Sequence, residues 1–206
     1  MWIKICGMTT APAVTAAIEA GVDAIGFVFA QSPRQVTPRT AATLARAARG
    51  RVRCVAVARH PTQRAVDEIV EALRPDLLQT DAGDFRMLRL PATLERLPVV
   101  RAGDTHPAPL PQRMLYEGPA SGSGWVTDWD AARALAARTE LVLAGGLNAA
   151  NVAAAIATVH PFGVDVSSGV EERPGVKSSA EIVKFVLAVR AAVAPAPPAT
   201  PTEDSP

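Results

Sequence analysis

Gly163-Val164-Asp165-Val166-Ser167-Ser168-Gly169, read with the earlier Leu143-Ala144-Gly145-Gly146, decides the fold of this 206-residue chain. Each stretch is a short apolar run ending in small residues whose backbone can approach an anion closely. Working backward, further strand-like runs occur at Trp2–Cys6, Ala24–Val28, Val52–Val57, Leu77–Gln79, Val99–Arg101 and Met114–Tyr116. Helical windows fall near Ala11–Ala20, Thr37–Ala48, Thr62–Leu73, Phe85–Leu90, Asp128–Ala137, Ala149–Thr158 and Ala180–Ala192. Eight strands in β-α alternation predict a parallel sheet covered by helices. A doubly wound open sheet would carry a G-x-G-x-x-G turn after its first strand, and none is present. Glycines gathered after the seventh and eighth strands instead match the phosphate site of a (β/α)8 TIM barrel. The prediction is a single-domain α/β barrel.

Residues 1–194 are assigned to that barrel, and the Pro/Ala-rich stretch 195–206 to a disordered tail. After Arg101 the chain reads Ala-Gly-Asp-Thr-His-Pro-Ala-Pro-Leu-Pro, which predicts a loop in place of the fifth helix. Net charge is +1, from 21 basic and 20 acidic residues, which argues against a nucleic-acid partner. No signal peptide or membrane-length apolar run is read, and two separated thiols predict a soluble, cytoplasmic protein. Cys6 and Cys54 form no ligand cluster, so neither a metal nor a disulfide is expected. Nothing points to an obligate protein partner.

In the first strand Ile3 and Ile5 share one face, while Trp2, Lys4 and Cys6 share the other. With the isoleucines packed outward on helices, Lys4 and Cys6 point inward. Cys6 then sits at the strand's C-terminal end, where barrel enzymes place their catalytic groups. A free thiol titrates at about 8.5, and a cation or helix N-terminus lowers that value. Lys4 and a helix beginning after Thr9 would supply both. Position alone leaves a buried structural cysteine equally open. Asp165 faces inward from the eighth strand, beside the first, so a Lys4–Asp165 contact is expected. Gly145, Gly146, Ser167, Ser168 and Gly169 make a candidate phosphate cradle. Arg34, after the second strand, reads either as a solvated loop residue or as a carboxylate anchor. Glu117, ending the sixth strand before a glycine-rich loop, is a candidate general acid or a surface carboxylate. His60, His106 and His160 lie in loops or beside proline, and no role is assigned to them.

Taken together the chain resembles the phosphoribosylanthranilate isomerase family from about Ile3 to Ala192. The carrying segments are Lys4-Ile5-Cys6-Gly7-Met8-Thr9, Asp23-Ala24-Ile25-Gly26-Phe27-Val28-Phe29, Ser32-Pro33-Arg34, Leu143 to Asn148 with Asn151-Val152, and Val164 to Glu171 with Pro174-Gly175. The resemblance implies an Amadori rearrangement of N-(5-phosphoribosyl)anthranilate in tryptophan biosynthesis, without metal or organic cofactor. It implies that Cys6 is the general base, that Arg34 anchors the anthranilate carboxylate, and that the two late turns bind phosphate. It also makes Lys4, Gln79 and Asp165 candidate substrate contacts. Two departures stand out. Glu117 occupies a position where the family usually has Asp, and Gln79-Thr80-Asp81-Ala82 replaces the usual Gln-Leu-His-Gly.

Two other readings compete. Indoleglycerol-phosphate synthase chemistry calls for catalytic lysines, yet Lys occurs only at 4, 177 and 184. A catalytically silent barrel that binds a sugar phosphate is the other, kept open by the two departures.

Overall fold

The structure, a computed structural model, describes residues 1–118 and 127–194. The expected disordered tail, and most of the glycine-rich loop after Glu117, lie outside the described residues. Eight parallel strands close into a barrel in sequential order: β1 (Trp2–Cys6), β2 (Ala24–Val28), β3 (Arg53–Val57), β4 (Leu77–Asp81), β5 (Glu95–Arg101), β6 (Arg113–Glu117), β7 (Glu140–Leu143) and β8 (Gly163–Val166). The strand β5 begins at Glu95, ahead of the Val99 start expected from the sequence, and runs through Pro98, a residue that central strands seldom tolerate.

Six α-helices are present among the described residues: α1 (Ala11–Ala20), α2 (Pro38–Leu44), α3 (Gln63–Leu73), α4 (Trp129–Ala136), α5 (Val152–Val159) and α6 (Ser179–Val193). At the starts of all of these but α5 an N-cap side chain accepts from an orphan amide, as where the Asp128 carboxylate accepts from Asp130 and Ala131 N–H groups. Gly21 ends α1 in the left-handed conformation, at φ 74°. The loop expected between β5 and β6 is present. The helix expected over Phe85–Leu90 is not: only a 3-10 turn forms, at Asp84–Arg86. Its backbone is satisfied elsewhere. Gln63 brackets Arg89, accepting from its N–H at 2.8 Å and donating to its carbonyl at 3.0 Å. Pro91 then disfavours the helical conformation at the residue before it.

Side chains alternate across each strand as its pleat demands. Ile3, Ile5, Val164 and Val166 pack in the large apolar layer between sheet and helices. Val55, Leu77, Leu97, Leu115 and Val142 fill a smaller set inside the barrel. The seam between β1 and β8 pairs Lys4 with Asp165 in register, and Lys4 Nζ donates to Asp165 Oδ1 at 2.9 Å. The Lys4 side chain is 0% exposed and that of Asp165 8%. Beyond β8 a short hairpin, β9 (Glu171–Arg173) with β10 (Val176–Lys177), lies across the barrel mouth toward the Pro33-Arg34 loop.

Removing one member of a buried pair strands the other charge, at a cost of about 3–5 kcal/mol. We expect Asp165→Asn to lose that much in urea unfolding; a loss below about 1 kcal/mol would show that Lys4 has another partner.

Candidate functional site

A cavity of about 200 Å³ opens at the C-terminal ends of the strands. It gathers Cys6 from β1, Gln79 from β4, Arg101 from β5, Glu117 from β6, Asp165 from β8 and Arg34 from the loop after β2. Gly145, Gly146, Ser167 and Ser168 complete one wall. Most of the residues singled out in the sequence therefore line one cavity. Two did not arrive as expected. Lys4 is not among the lining residues, because its ammonium is spent on Asp165 below. Gly169 is also absent from the wall: a Cβ there would overlap the Leu147 carbonyl oxygen, so its small size serves the packing of one turn on the other.

Cys6 lies 7% exposed at the cavity's edge. Its thiol does not follow the expectation of an easily ionised group. Burial pushes it above the ordinary thiol range, the Asp165 charge adds to this, and Lys4 and Lys177 only partly oppose it. Burial is the main cause, and Lys4, which bonds Asp165 as well as the thiol, offsets only part of it. Lys4 itself is depressed by burial but held up on balance by Asp165 and Cys6. The site thus starts with a thiol that holds its proton, beside an ion pair close to neutral overall.

Arg34 is a loop residue held firmly. Its Nε and one Nη donate to the two carboxylate oxygens of Glu171 at 2.7 and 2.9 Å. Lys177 Nζ donates to the same carboxylate at 2.7 Å and to the Ser167 carbonyl at 2.9 Å. Burial works to raise the Glu171 carboxyl, but Arg34 and Lys177 outweigh it and hold the group below the usual carboxylate range. The side-on edge of the guanidinium is therefore taken, and the end-on edge, formed by its two Nη groups, is left for a second carboxylate. Glu171 and Lys177 had no functional reading from their positions; the charge alternation Glu171–Lys177 across a Pro-Gly turn was the available signal.

The candidate phosphate cradle turns on two glycines. Gly145 and Gly146 adopt φ of 91° and 65°, conformations costly for any residue with a Cβ. Asn151 ties the turn down, accepting from Asn148 N–H at 2.8 Å and donating to the Gly146 carbonyl at 2.9 Å. The Ser167 hydroxyl donates to the Cys6 carbonyl at 3.1 Å, fastening the eighth-strand turn to the end of β1.

On the opposite wall Arg101 bridges two carboxylates. One of its Nη groups pairs with Asp81, and the other with Glu117 Oε1 at 3.1 Å. Asp81 also meets His60 Nε2 at 3.2 Å, and His60 Nδ1 lies 3.0 Å from Asp84. The Asp81 departure has not emptied the site; it has replaced an expected imidazole with an ion pair. Arg101 itself was missed, although its inward phase on β5 was readable. His60, Asp81 and Asp84 bring potential metal ligands within 4.8 Å of one another, but these atoms already bond each other and Arg101. Gln79 Oε1 is different: it is buried and has no hydrogen-bond partner among the described residues.

A larger cavity, about 570 Å³, opens at the other end of the barrel around Trp2, Arg49 to Cys54, Asp76 and Arg113. Its Arg53 and Arg113 are tied to Glu95 and Glu140, and burial pushes the Cys54 thiol up to about 11. The convergent polar groups lie at the C-terminal end.

Residues 3–188 match the family model described as N-(5'phosphoribosyl)anthranilate (PRA) isomerase. The N-(5'-phosphoribosyl)anthranilate isomerase of Mesorhizobium japonicum is 40% identical, over 92% of this chain and 95% of its own length. The crystal structure of phosphoribosyl anthranilate isomerase from Thermus thermophilus superposes with a TM-score of 0.81 at 27% identity, covering 93% of this chain and 99% of that one. A further solved structure is a phosphoribosyl anthranilate isomerase in complex with reduced 1-(o-carboxyphenylamino)-1-deoxyribulose 5-phosphate. It is 26% identical, with a TM-score of 0.76 over 93% of this chain and 99% of that one. Barrel, cavity and match over nearly the whole chain agree: this protein belongs to the N-(5'-phosphoribosyl)anthranilate isomerase family.

Proposed function

We propose that this chain isomerises N-(5'-phosphoribosyl)anthranilate in tryptophan biosynthesis, with Cys6 as general base and Glu117 as general acid. The observation that carries this is a thiol and a carboxyl on β1 and β6 lining one cavity with two glycine- and serine-rich turns. The substrate's phosphate sits in the cradle of Gly145, Gly146, Ser167 and Ser168, with the Gly169 amide behind it. Its anthranilate carboxylate takes the end-on edge of Arg34. Gln79 Oε1 accepts from a substrate hydroxyl or N–H group, which gives that orphaned acceptor a partner. No helix among the described residues is long and apolar enough to cross a membrane. Two free thiols fit a reducing, cytoplasmic setting.

The chemistry follows from that placement. Glu117 gives its proton to the ribose ring oxygen as the C1–O bond breaks, and the anilino nitrogen's lone pair forms the C1=N Schiff base. Cys6 as thiolate then removes the C2 proton, and the C–H electron pair becomes the C1=C2 bond of an enolamine while the C1=N pair returns to nitrogen. Ketonisation moves the hydroxyl proton from O2 and delivers one to C1, giving 1-(2-carboxyphenylamino)-1-deoxyribulose 5-phosphate. Asp165 and Lys4 fix the floor under the thiol rather than bonding to the substrate's far end.

The raised thiol shapes the pH dependence. The productive form needs a Cys6 thiolate together with a protonated carboxyl, although a carboxyl ordinarily titrates well below such a thiol. Between the two limbs, each added pH unit multiplies the thiolate fraction by about ten and divides the protonated-carboxyl fraction equally. We therefore expect kcat/KM to stay level from about pH 7 to 9 and to fall once the thiol titrates. A steady climb of about tenfold per unit over that range would show that no acid partner is needed. The activity itself is read by loss of anthranilate-type fluorescence when purified protein meets fresh substrate; binding of inorganic phosphate without turnover would favour a silent sugar-phosphate binder. Replacing the orphaned acceptor separates binding from stability. Gln79→Met is expected to raise the melting temperature and to raise KM by about tenfold. An unchanged KM would remove Gln79 from the substrate contacts.

A further inference from the structure

We infer that Arg101 is a positioning residue that holds Glu117 in one orientation, with Asp81 as the counterweight that keeps the guanidinium in place. This rests on Glu117 serving as the general acid, as proposed above. A glutamate side chain has three torsions, and proton transfer needs heavy atoms about 2.6–3.2 Å apart. An unrestrained carboxyl at the end of β6 would spend much of its time outside that range. The structure restrains it from the neighbouring strand: Arg101 stands in register with Glu117, and its guanidinium reaches Oε1 at 3.1 Å. Both side chains are largely buried in the cavity wall, at 14% and 13% exposure, where solvent screens the pair little.

One contact would leave the guanidinium free to swing with the carboxyl. The second prevents this. Asp81, on the other neighbouring strand β4, takes the remaining Nη group, so the planar fork is pinned from both sides. Asp81 is fixed in turn by His60, which Asp84 holds through both its ring and its backbone N–H. Asp84 is anchored by the Thr80 hydroxyl at 2.6 Å. The Arg101 backbone N–H donates to the Asp104 carboxylate at 3.1 Å, which fixes the end of β5 itself. Electrostatics give Asp81 a second task. A lone guanidinium beside Glu117 would favour its carboxylate form and so oppose proton donation. A second carboxylate on the same guanidinium works against that bias. Arg101 can then orient the acid without stripping it of its proton.

A merely structural ion pair would change stability and leave the chemical step alone, so the test is a cycle with Glu117. In wild-type background, Arg101→Ala is expected to lower kcat by about 10- to 100-fold with KM within about threefold, and Arg101→Lys to recover part of the loss. In Glu117→Gln background, Arg101→Ala should change the residual kcat by less than about twofold, because the acid it orients is gone. Asp81→Asn should behave like Arg101→Ala with a smaller loss, about three- to tenfold, and again only where Glu117 is intact. Equal losses in both backgrounds, or no loss of kcat in the first, would overturn the inference. Should Arg101→Ala fail to fold, the same comparison between backgrounds is made with Arg101→Lys. Near-native turnover by Glu117→Gln alone would instead sink the assignment of Glu117, and this inference with it.

Discussion

The ammonium of Lys4 and the carboxylate of Asp165 meet 2.9 Å apart where β1 closes on β8, in a place where neither can fall back on solvent. Everything above that seam is registered to it. The pairing of Lys4 with Asp165 fixes which residues of β1 and β8 reach the barrel mouth together, and those are Cys6 and the Ser167-Ser168 turn. An apolar pair of similar volume could close the barrel with no desolvation cost. What it could not do is hold a polar floor beneath a thiol. The pair also leaves little net field, so burial governs Cys6 and the thiol keeps its proton more tightly than a lysine nearby would suggest.

The molecule places its charges in two fixed groups around the cavity. On one side Glu171 gathers Arg34 and Lys177 and links the hairpin β9–β10 to the loop after β2. On the other, Arg101 gathers Asp81 and Glu117 across three adjacent strands. The first group keeps one positive charge in excess and the second one negative charge while both its carboxyls are ionised, and each presents a defined edge: the outer edge of a guanidinium in the first, a carboxyl in the second. Such preorganisation is what proton transfer and carboxylate recognition need, because little has to be rearranged as the reaction proceeds.

Much of this was legible beforehand, for reasons that differ by residue. Strand phase fixed Lys4, Cys6 and Asp165 as inward-facing, and the structure keeps all three there, because a pleat alternates faces whatever surrounds it. The late glycine turns were readable because positive φ and close backbone approach demand small residues. The Phe85–Leu90 segment misled because its apolar pattern suits a helix while Gln63, far off in the chain, captures its backbone. Pro98 hid the start of β5. Lys4 and Gly169 lie just outside the cavity lining, the first bonded to Asp165 and the second pressed on the Leu147 carbonyl, placements that only the assembled barrel reveals. The thiol's behaviour was unreadable for the same reason, since its sign depends on burial and on whom Lys4 partners. Arg101 was missed because it is one arginine among many until β4 and β6 flank it.

The central claim is that Cys6, once ionised, takes the C2 proton. The direct measurement is turnover and binding by Cys6→Ala, with reduced 1-(o-carboxyphenylamino)-1-deoxyribulose 5-phosphate as the binding probe. The account predicts a Kd for that probe within about threefold of wild type, and a kcat lower by about 100-fold or more. Near-normal turnover by a protein that has no thiol at position 6 would contradict it.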